Sequence, residues 1–218
     1  MKVGQYTVET SNEDRVFFPQ GSITKGDLIQ YYKDIAPIML PHVKDRPVTM
    51  HRFPSGIQEE GFYHKEIPDY FPPWVDRVTI EKKEGGTSEQ VVCNNAATLV
   101  YLANQACITL HTWLSRIGNL NYPDKLVFDL DPSDGDFGPV RAAALSLKER
   151  LIRVGLQPFV MTTGSRGVHV AAPLDGSQDF DTVRTFAKRL ADSLAKEDPR
   201  HLTSIPFTIL QATSMFLA

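Results

Sequence analysis

The sequence predicts a soluble fold that mixes helices with short strands, in one large domain or two small lobes. Two observations carry this. Apolar residues recur at helical spacing in four separate segments, and between those segments they alternate at the two-residue period of strands. With 42% apolar and 22% charged residues among 218, the chain has material for a real core.

From the start, Thr7 to Pro19 reads as an extended entry and turn, after which Thr24 can cap a helix from Lys25 to about Leu40. Leu28, Tyr31, Tyr32, Ile35, Ile38 and Met39 form its apolar stripe. Arg15 beside a turn and Lys25 in the first helical turn run against the helix dipole; either an anion offsets them or an exposed helix start tolerates the lysine. Pro47 to Phe53 reads as a strand closed by Pro54-Ser55-Gly56. In Glu60-Gly61-Phe62-Tyr63-His64-Lys65 the neighbours Phe62 and Tyr63 point to opposite faces, so at least one is hard to bury. An exposed aromatic beside His64 and Lys65 suits base stacking next to a phosphate; an aromatic plug over the core is the plainer reading. Pro68 to Trp74 is a rigid, aromatic-rich packing loop. Val78 to Glu81 and Gln90 to Cys93 form a hairpin, and Asn94 or Asn95 caps a helix running to about Gln105. Ile108 to Trp113 alternates as a strand that carries His111.

The stretch Leu126-Val127-Phe128-Asp129-Leu130-Asp131-Pro132 is the centre of the sequence. Alternation puts Asp129 and Asp131 on one strand face, and Pro132 ends the strand. Two carboxylates a few ångströms apart repel, so they need a cation, a shared proton or open water. Hard oxygen donors of this kind suit Mg²⁺ or Mn²⁺ with substrate phosphates; the bland alternative is a strand end whose acids face solvent. A helix from about Gly138 to Val154 follows, then strands at Phe159–Thr163 and Val168–Ala171 around Gly164-Ser165-Arg166-Gly167. A turn with glycine at both ends, carrying a serine and an arginine, can converge its N–H groups on an anion, although an ordinary hairpin turn looks the same. His169 opens the second of these strands, and a last helix runs from Phe180 to about Ala195.

A net charge of −3 argues against a generally basic nucleic-acid coat, though a local basic groove can hide in a neutral total. Cys93 and Cys107 lack CxxC spacing, which argues against a disulfide framework or zinc knuckle and fits a reducing cytoplasm. No signal peptide and no run long enough to span a bilayer is visible, so a membrane partner is not expected.

Taken together and in this order, Asp14-Arg15-Val16-Phe17-Phe18-Pro19, Thr24-Lys25, Met50-His51-Arg52-Phe53-Pro54, Gly61-Phe62-Tyr63-His64-Lys65, Leu110-His111-Thr112-Trp113, Phe128-Asp129-Leu130-Asp131-Pro132 and Thr162-Thr163-Gly164-Ser165-Arg166-Gly167-Val168-His169 resemble the polymerase domain of ligase D. That domain is the primase-polymerase of prokaryotic non-homologous end joining, within the archaeo-eukaryotic primase superfamily. The resemblance covers about Thr7 to Ser204. It implies an α+β fold, with an amino-terminal α/β lobe packed on an RRM-like lobe of mixed or antiparallel sheet. It implies a metal-dependent nucleotidyltransferase that adds NTP or dNTP, with ribonucleotides preferred, to a primer 3′-hydroxyl at DNA gaps and broken ends or 3′ overhangs. Asp129 and Asp131 would be catalytic ligands of two Mn²⁺ or Mg²⁺ ions. Arg52, His111, Ser165, Arg166 and His169 would bind the nucleotide, Arg15 and Lys25 would hold a downstream 5′-phosphate, and Phe62 and Tyr63 would stack on the template. An ATP-dependent DNA ligase and a Ku-type end-binding protein would be the partners.

The sequence departs from the family at its end. The family supplies a third metal-binding aspartate from a later strand and then an arginine-containing motif, whereas Leu202 to Ala218 holds no Asp, Glu, Lys or Arg. Residues 1–204 therefore read as an incomplete catalytic domain and 205–218 as an aberrant apolar tail from truncation or a frameshift, with the last catalytic strand missing or replaced. The alternative function is a non-catalytic module that binds DNA ends through their 5′-phosphate.

Overall fold

In the computed structural model the chain forms two compact units, Met1–Trp113 and Leu114–Ala218. The structure describes residues 1–82, 85–132, 135–199 and 213–216, the last four as backbone alone.

The first unit begins with a small hairpin, β1 (Lys2–Val3) and β2 (Tyr6–Thr7), and a second strand pair, β3 (Val16–Phe18) with β4 (Ile23–Thr24). The helix α1 (Lys25–Val43) starts where the sequence places it. Thr24 accepts from the Asp27 backbone N–H and the Asp27 carboxylate accepts from the Thr24 N–H, a reciprocal capping box. It runs three residues past the expected Leu40, through Pro37 and Pro41. A five-stranded antiparallel sheet follows from β5 (Pro47–Arg52), β6 (Phe62–His64), β7 (Arg77–Glu81), β8 (Thr87–Val92) and β9 (Cys107–Thr112). β5 is its hub, paired with β6, β8 and β9. Between β8 and β9 lies α2 (Ala96–Asn104), capped by Asn95.

The core of this unit joins Leu28, Ile29, Tyr32 and Ala36 of α1, Leu99, Val100, Leu102 and Ala103 of α2, and Val48, Met50 and Val91 of the sheet. The Pro68–Trp74 loop packs as expected: Phe71 is buried edge-on against Tyr101, and Trp74 stacks on Tyr6 at 4.8 Å. Cys93 and Cys107 are both buried and unpaired, and burial raises both thiols, Cys107 to about 12.

The second unit is built from β10 (Lys125–Asp131), α3 (Phe137–Arg153), β11 (Phe159–Thr162), β12 (Val168–Pro173), α4 (Phe180–Glu197) and β13 (Thr213–Phe216). The order of elements is β-α-β-β-α-β and the sheet order is β11-β12-β10-β13, as in an RRM-like lobe, except that β13 runs in the direction opposite to a split βαβ unit. β10 runs antiparallel to β12 and parallel to β13, so the sheet is mixed. Leu126, Phe128 and Leu130 pack with Val140, Leu147 and Leu151 of α3 and Ala187, Ala191 and Leu194 of α4. Two-residue alternation then sends Val127, Asp129 and Asp131 to the other face.

β13 bears on the tail expected to be aberrant. Thr213 to Phe216 take the place beside β10, in register Phe128↔Thr213 to Asp131↔Phe216. A strand therefore stands at this edge of the sheet, and the rest of 205–218 lies outside the described residues. No helix among the described residues is long and apolar enough to cross a membrane.

Candidate functional site

In the second unit, β10 and β12 bring Asp129 and His169 directly opposite one another. His169 Nε2 lies 3.2 Å from Asp129 Oδ1, but without the alignment of a hydrogen bond. Among the described residues, Asp129 Oδ1 is thereby buried with no hydrogen-bond partner. A carboxylate oxygen in that state is costly unless a proton or cation reaches it.

Asp131 is half-buried, and its carboxyl is held above its ordinary range, chiefly by desolvation and next by the Asp129 charge, with Arg166 and His169 pulling the other way. Two adjacent carboxylates with one orphaned oxygen and one raised pKa are a donor set that fits a hard divalent cation. Among the described residues, no group of three His, Cys, Asp or Glu side chains is placed to hold a metal ion by itself.

The β11–β12 turn stands against this pair. Thr163 Oγ1 donates to the Gly167 carbonyl at 3.1 Å and lies 3.4 Å and 3.3 Å from the Ser165 and Gly167 N–H groups, while the Thr163 N–H also bonds the Gly167 carbonyl. Gly164 adopts φ +80°, open to glycine. Gly167 is glycine for another reason: a Cβ there would lie 2.3 Å from both Asp131 Oδ1 and the Leu130 carbonyl oxygen. The turn therefore presses on the carboxylate strand, with Ser165 and Arg166 exposed at its tip.

In the first unit, a pocket of about 180 Å³ is lined by Asn12, Arg15, Lys25, Arg52, Asn104 and Gln105, among others. Lys25 is buried (6% exposed), not tolerated at an open helix start, and its Nζ donates to the Ser11 carbonyl at 2.6 Å. Burial lowers its pKa, Glu13 counteracts this and Arg15 adds to it. The loop that carries Arg15 is tied to α1 and α2: the Lys25 N–H donates to the Arg15 carbonyl, Asn104 Oδ1 accepts from the Ser11 N–H, and the Asn104 amide donates to the Glu9 carbonyl. Arg52, expected with the nucleotide residues, lines the same pocket as Arg15 and Lys25, the two cations expected at a 5′-phosphate. Asn12, Asn104 and Gln105 escape sequence reasoning because no local pattern links them to the pocket.

Phe62 and Tyr63 do occupy opposite faces of β6, and both are exposed. Phe62 lies with Arg52, whose guanidinium carbon is 5.6 Å from the ring centroid. Tyr63 stacks on His51 at 4.2 Å and meets His111 edge-on at 5.3 Å. Burial lowers the pKa of His51 and of His111, the latter also through His51. His51 was not singled out by the sequence; its place opposite Tyr63 follows from β5–β6 register.

Comparison with known proteins agrees with this architecture. A polymerase domain of ligase D from Mycobacterium tuberculosis, solved in complex with DNA, is 32% identical and superposes with a TM-score of 0.87 over 97% of this chain and 77% of that one. The fold is that of an archaeo-eukaryotic primase-like α+β protein. Within that class the chain belongs to the LigD primase-polymerase domain family, whose model matches residues 24–213 and so extends past Ser204. The multifunctional non-homologous end joining DNA repair protein LigD of M. tuberculosis is 32% identical over 96% of this chain. The bifunctional LigD of Bacillus subtilis is 31% identical over 88%. This chain spans about three-tenths of the length of either relative, 29% and 31%.

Proposed function

We propose that this chain is a metal-dependent nucleotidyltransferase that adds nucleotides to a primer 3′-hydroxyl at DNA gaps and broken ends bearing a 5′-phosphate. The observation that carries the reading is the Asp129–Asp131 pair, with its orphaned buried oxygen, pressed by the Ser165–Gly167 turn. Asp129 and Asp131 would hold Mn²⁺ or Mg²⁺. The ions, two in this class of reaction, supply charge that lowers the pKa of the primer hydroxyl and neutralises the triphosphate.

The chain's own groups do the rest. Ser165 and Arg166 would present donors and charge to the triphosphate, and His169, whose Nε2 lies 3.2 Å from Asp129 Oδ1, would reach the same anion. Tyr63 and His111 offer a ring and an imidazole to the nucleotide and template, and Phe62 a ring beside the cationic pocket. Arg15, Lys25 and Arg52 would take the 5′-phosphate of a downstream strand. An ATP-dependent ligase activity and a Ku-type end-binding protein would act with it in non-homologous end joining.

One observation favours the second reading, a non-catalytic module that binds DNA ends. β13 lies beside the aspartates on β10, yet Thr213-Ser214-Met215-Phe216 brings no carboxylate. The test is nucleotide addition to a gapped duplex with a 5′-phosphate, with Mn²⁺ and either NTP or dNTP. Extension abolished by Asp129→Ala/Asp131→Ala supports the enzyme. Absence of extension alongside phosphate-dependent binding supports the module.

A further inference from the structure

We infer that Gln105 and Tyr70 are positioning residues for Arg52, and that by holding its guanidinium they set how strongly the cationic pocket prefers a phosphorylated end. This rests on the reading of that pocket as a 5′-phosphate site.

Arg52 ends β5 and would otherwise be a long, mobile side chain, half-buried at the pocket wall. It is instead held at every nitrogen. Nε donates to the Gln105 carbonyl at 2.8 Å and Nη2 to Gln105 Oε1 at 3.2 Å. Nη1 donates to the Tyr70 hydroxyl and to His64 Nδ1, both at 3.1 Å, and Tyr70 donates onward to Gln105 Oε1 at 3.3 Å. Because a guanidinium only donates, His64 Nδ1 must accept here, which makes His64 the neutral Nε2–H tautomer.

Of the five guanidinium N–H groups, these contacts use four among the described residues, leaving one on Nη2. Arg52 thus offers a ligand a fixed charge and a single N–H, not a two-pronged fork. Gln105 is also the residue that ends α2, so its carbonyl is free of helical pairing and carries the negative end of the helix dipole. The helix terminus and the Gln105 amide bracket Arg52, with Tyr70 closing the triangle.

A merely structural role would weaken the whole protein; a positioning role changes one ratio. The experiment is the dissociation constant of the full chain for gapped duplexes whose downstream strand ends in 5′-phosphate or 5′-hydroxyl, for wild type, Gln105→Ala, Tyr70→Phe and the double variant. Tyr70 is 61% exposed, so Tyr70→Phe leaves the fold intact, and a melting curve checks this for each variant. The expected result is a phosphate preference reduced about 3- to 10-fold in Gln105→Ala and by less in Tyr70→Phe, with affinity for the 5′-hydroxyl duplex unchanged. The double variant should lose more than Gln105→Ala alone, because Tyr70 accepts directly from Arg52 Nη1 while Gln105 Oε1 accepts from Nη2. A wild type that discriminates while every variant discriminates equally well overturns the inference and leaves the pocket's reading intact. So does an equal loss of affinity for both duplexes. A wild type that does not discriminate overturns both.

Discussion

Gly164 and Gly167 flank one turn for different physical reasons, and their variants should separate. At Gly164 the left-handed φ is the constraint and the space beyond is open, so Gly164→Ala should cost about 1 kcal/mol. At Gly167 the constraint is contact, since a Cβ would collide with Asp131 and the Leu130 carbonyl. Gly167→Ala should therefore cost about 1–3 kcal/mol and displace the carboxylate as well. Urea unfolding measures the first effect, and nucleotide addition the second; equal stability losses with full activity would refute the distinction. At this scale the carboxylates were readable, because alternation alone sets Asp129 and Asp131 on one face. Asn104 was not, because its bond to the Ser11 N–H spans 93 positions. Nor was the burial of Lys25, which depends on how the Ser11–Arg15 loop folds over α1.

β6 shows what a strand does with two adjacent aromatics. One ring goes to Arg52 and the cationic pocket, the other to His51 and His111, and the pairing His51↔Tyr63 and Arg52↔Phe62 fixes which. The same three-strand patch of β5, β6 and β9 carries His51, His64 and His111, all with pKa values lowered from 6.5 by burial, His64 also by Arg52. In the unfolded chain these imidazoles take up protons first. Their contribution to stability is therefore fully present above pH 6.5 and is lost as pH falls through 6.5 toward the lower folded values. Denaturation midpoints between about pH 7.5 and about pH 5.5 should fall with acidity, and His64→Gln should flatten the slope. A midpoint that rises toward acid would contradict the assignment. Helix positions and caps were largely legible, because Thr24 and Asn95 act on neighbours three residues away, whereas helix ends such as Val43 depend on packing that no local signal records.

Over the whole molecule a net charge of −3 coexists with three cations converging in one pocket, so binding to DNA should be local and only modestly salt-dependent. A plot of log affinity for a 5′-phosphorylated gapped duplex against log salt should change its slope by about 1 in Lys25→Ala, as expected for one phosphate contact at about 0.9 per contact. An unchanged slope would remove Lys25 from the interface. Each unit has its own apolar core, and the helices and the longer strands could be read from periodicity, because burying one face of an element leaves a repeat in the chain itself, whereas the two- and three-residue strands β1 to β4 are too short to leave one. The end of the chain could not be read in that way. Residues 205–218 carry no cap or turn signal, yet Thr213 to Phe216 form the strand beside Asp129 and Asp131, since a strand is completed by the open edge it pairs with as much as by its own sequence. From residue types and alternation alone came the carboxylate pair, the glycine-flanked turn and the opposed aromatics. Tertiary structure decided which groups share a pocket, which cation is buried and which acceptors hold Arg52, because those depend on contacts between residues far apart in the chain.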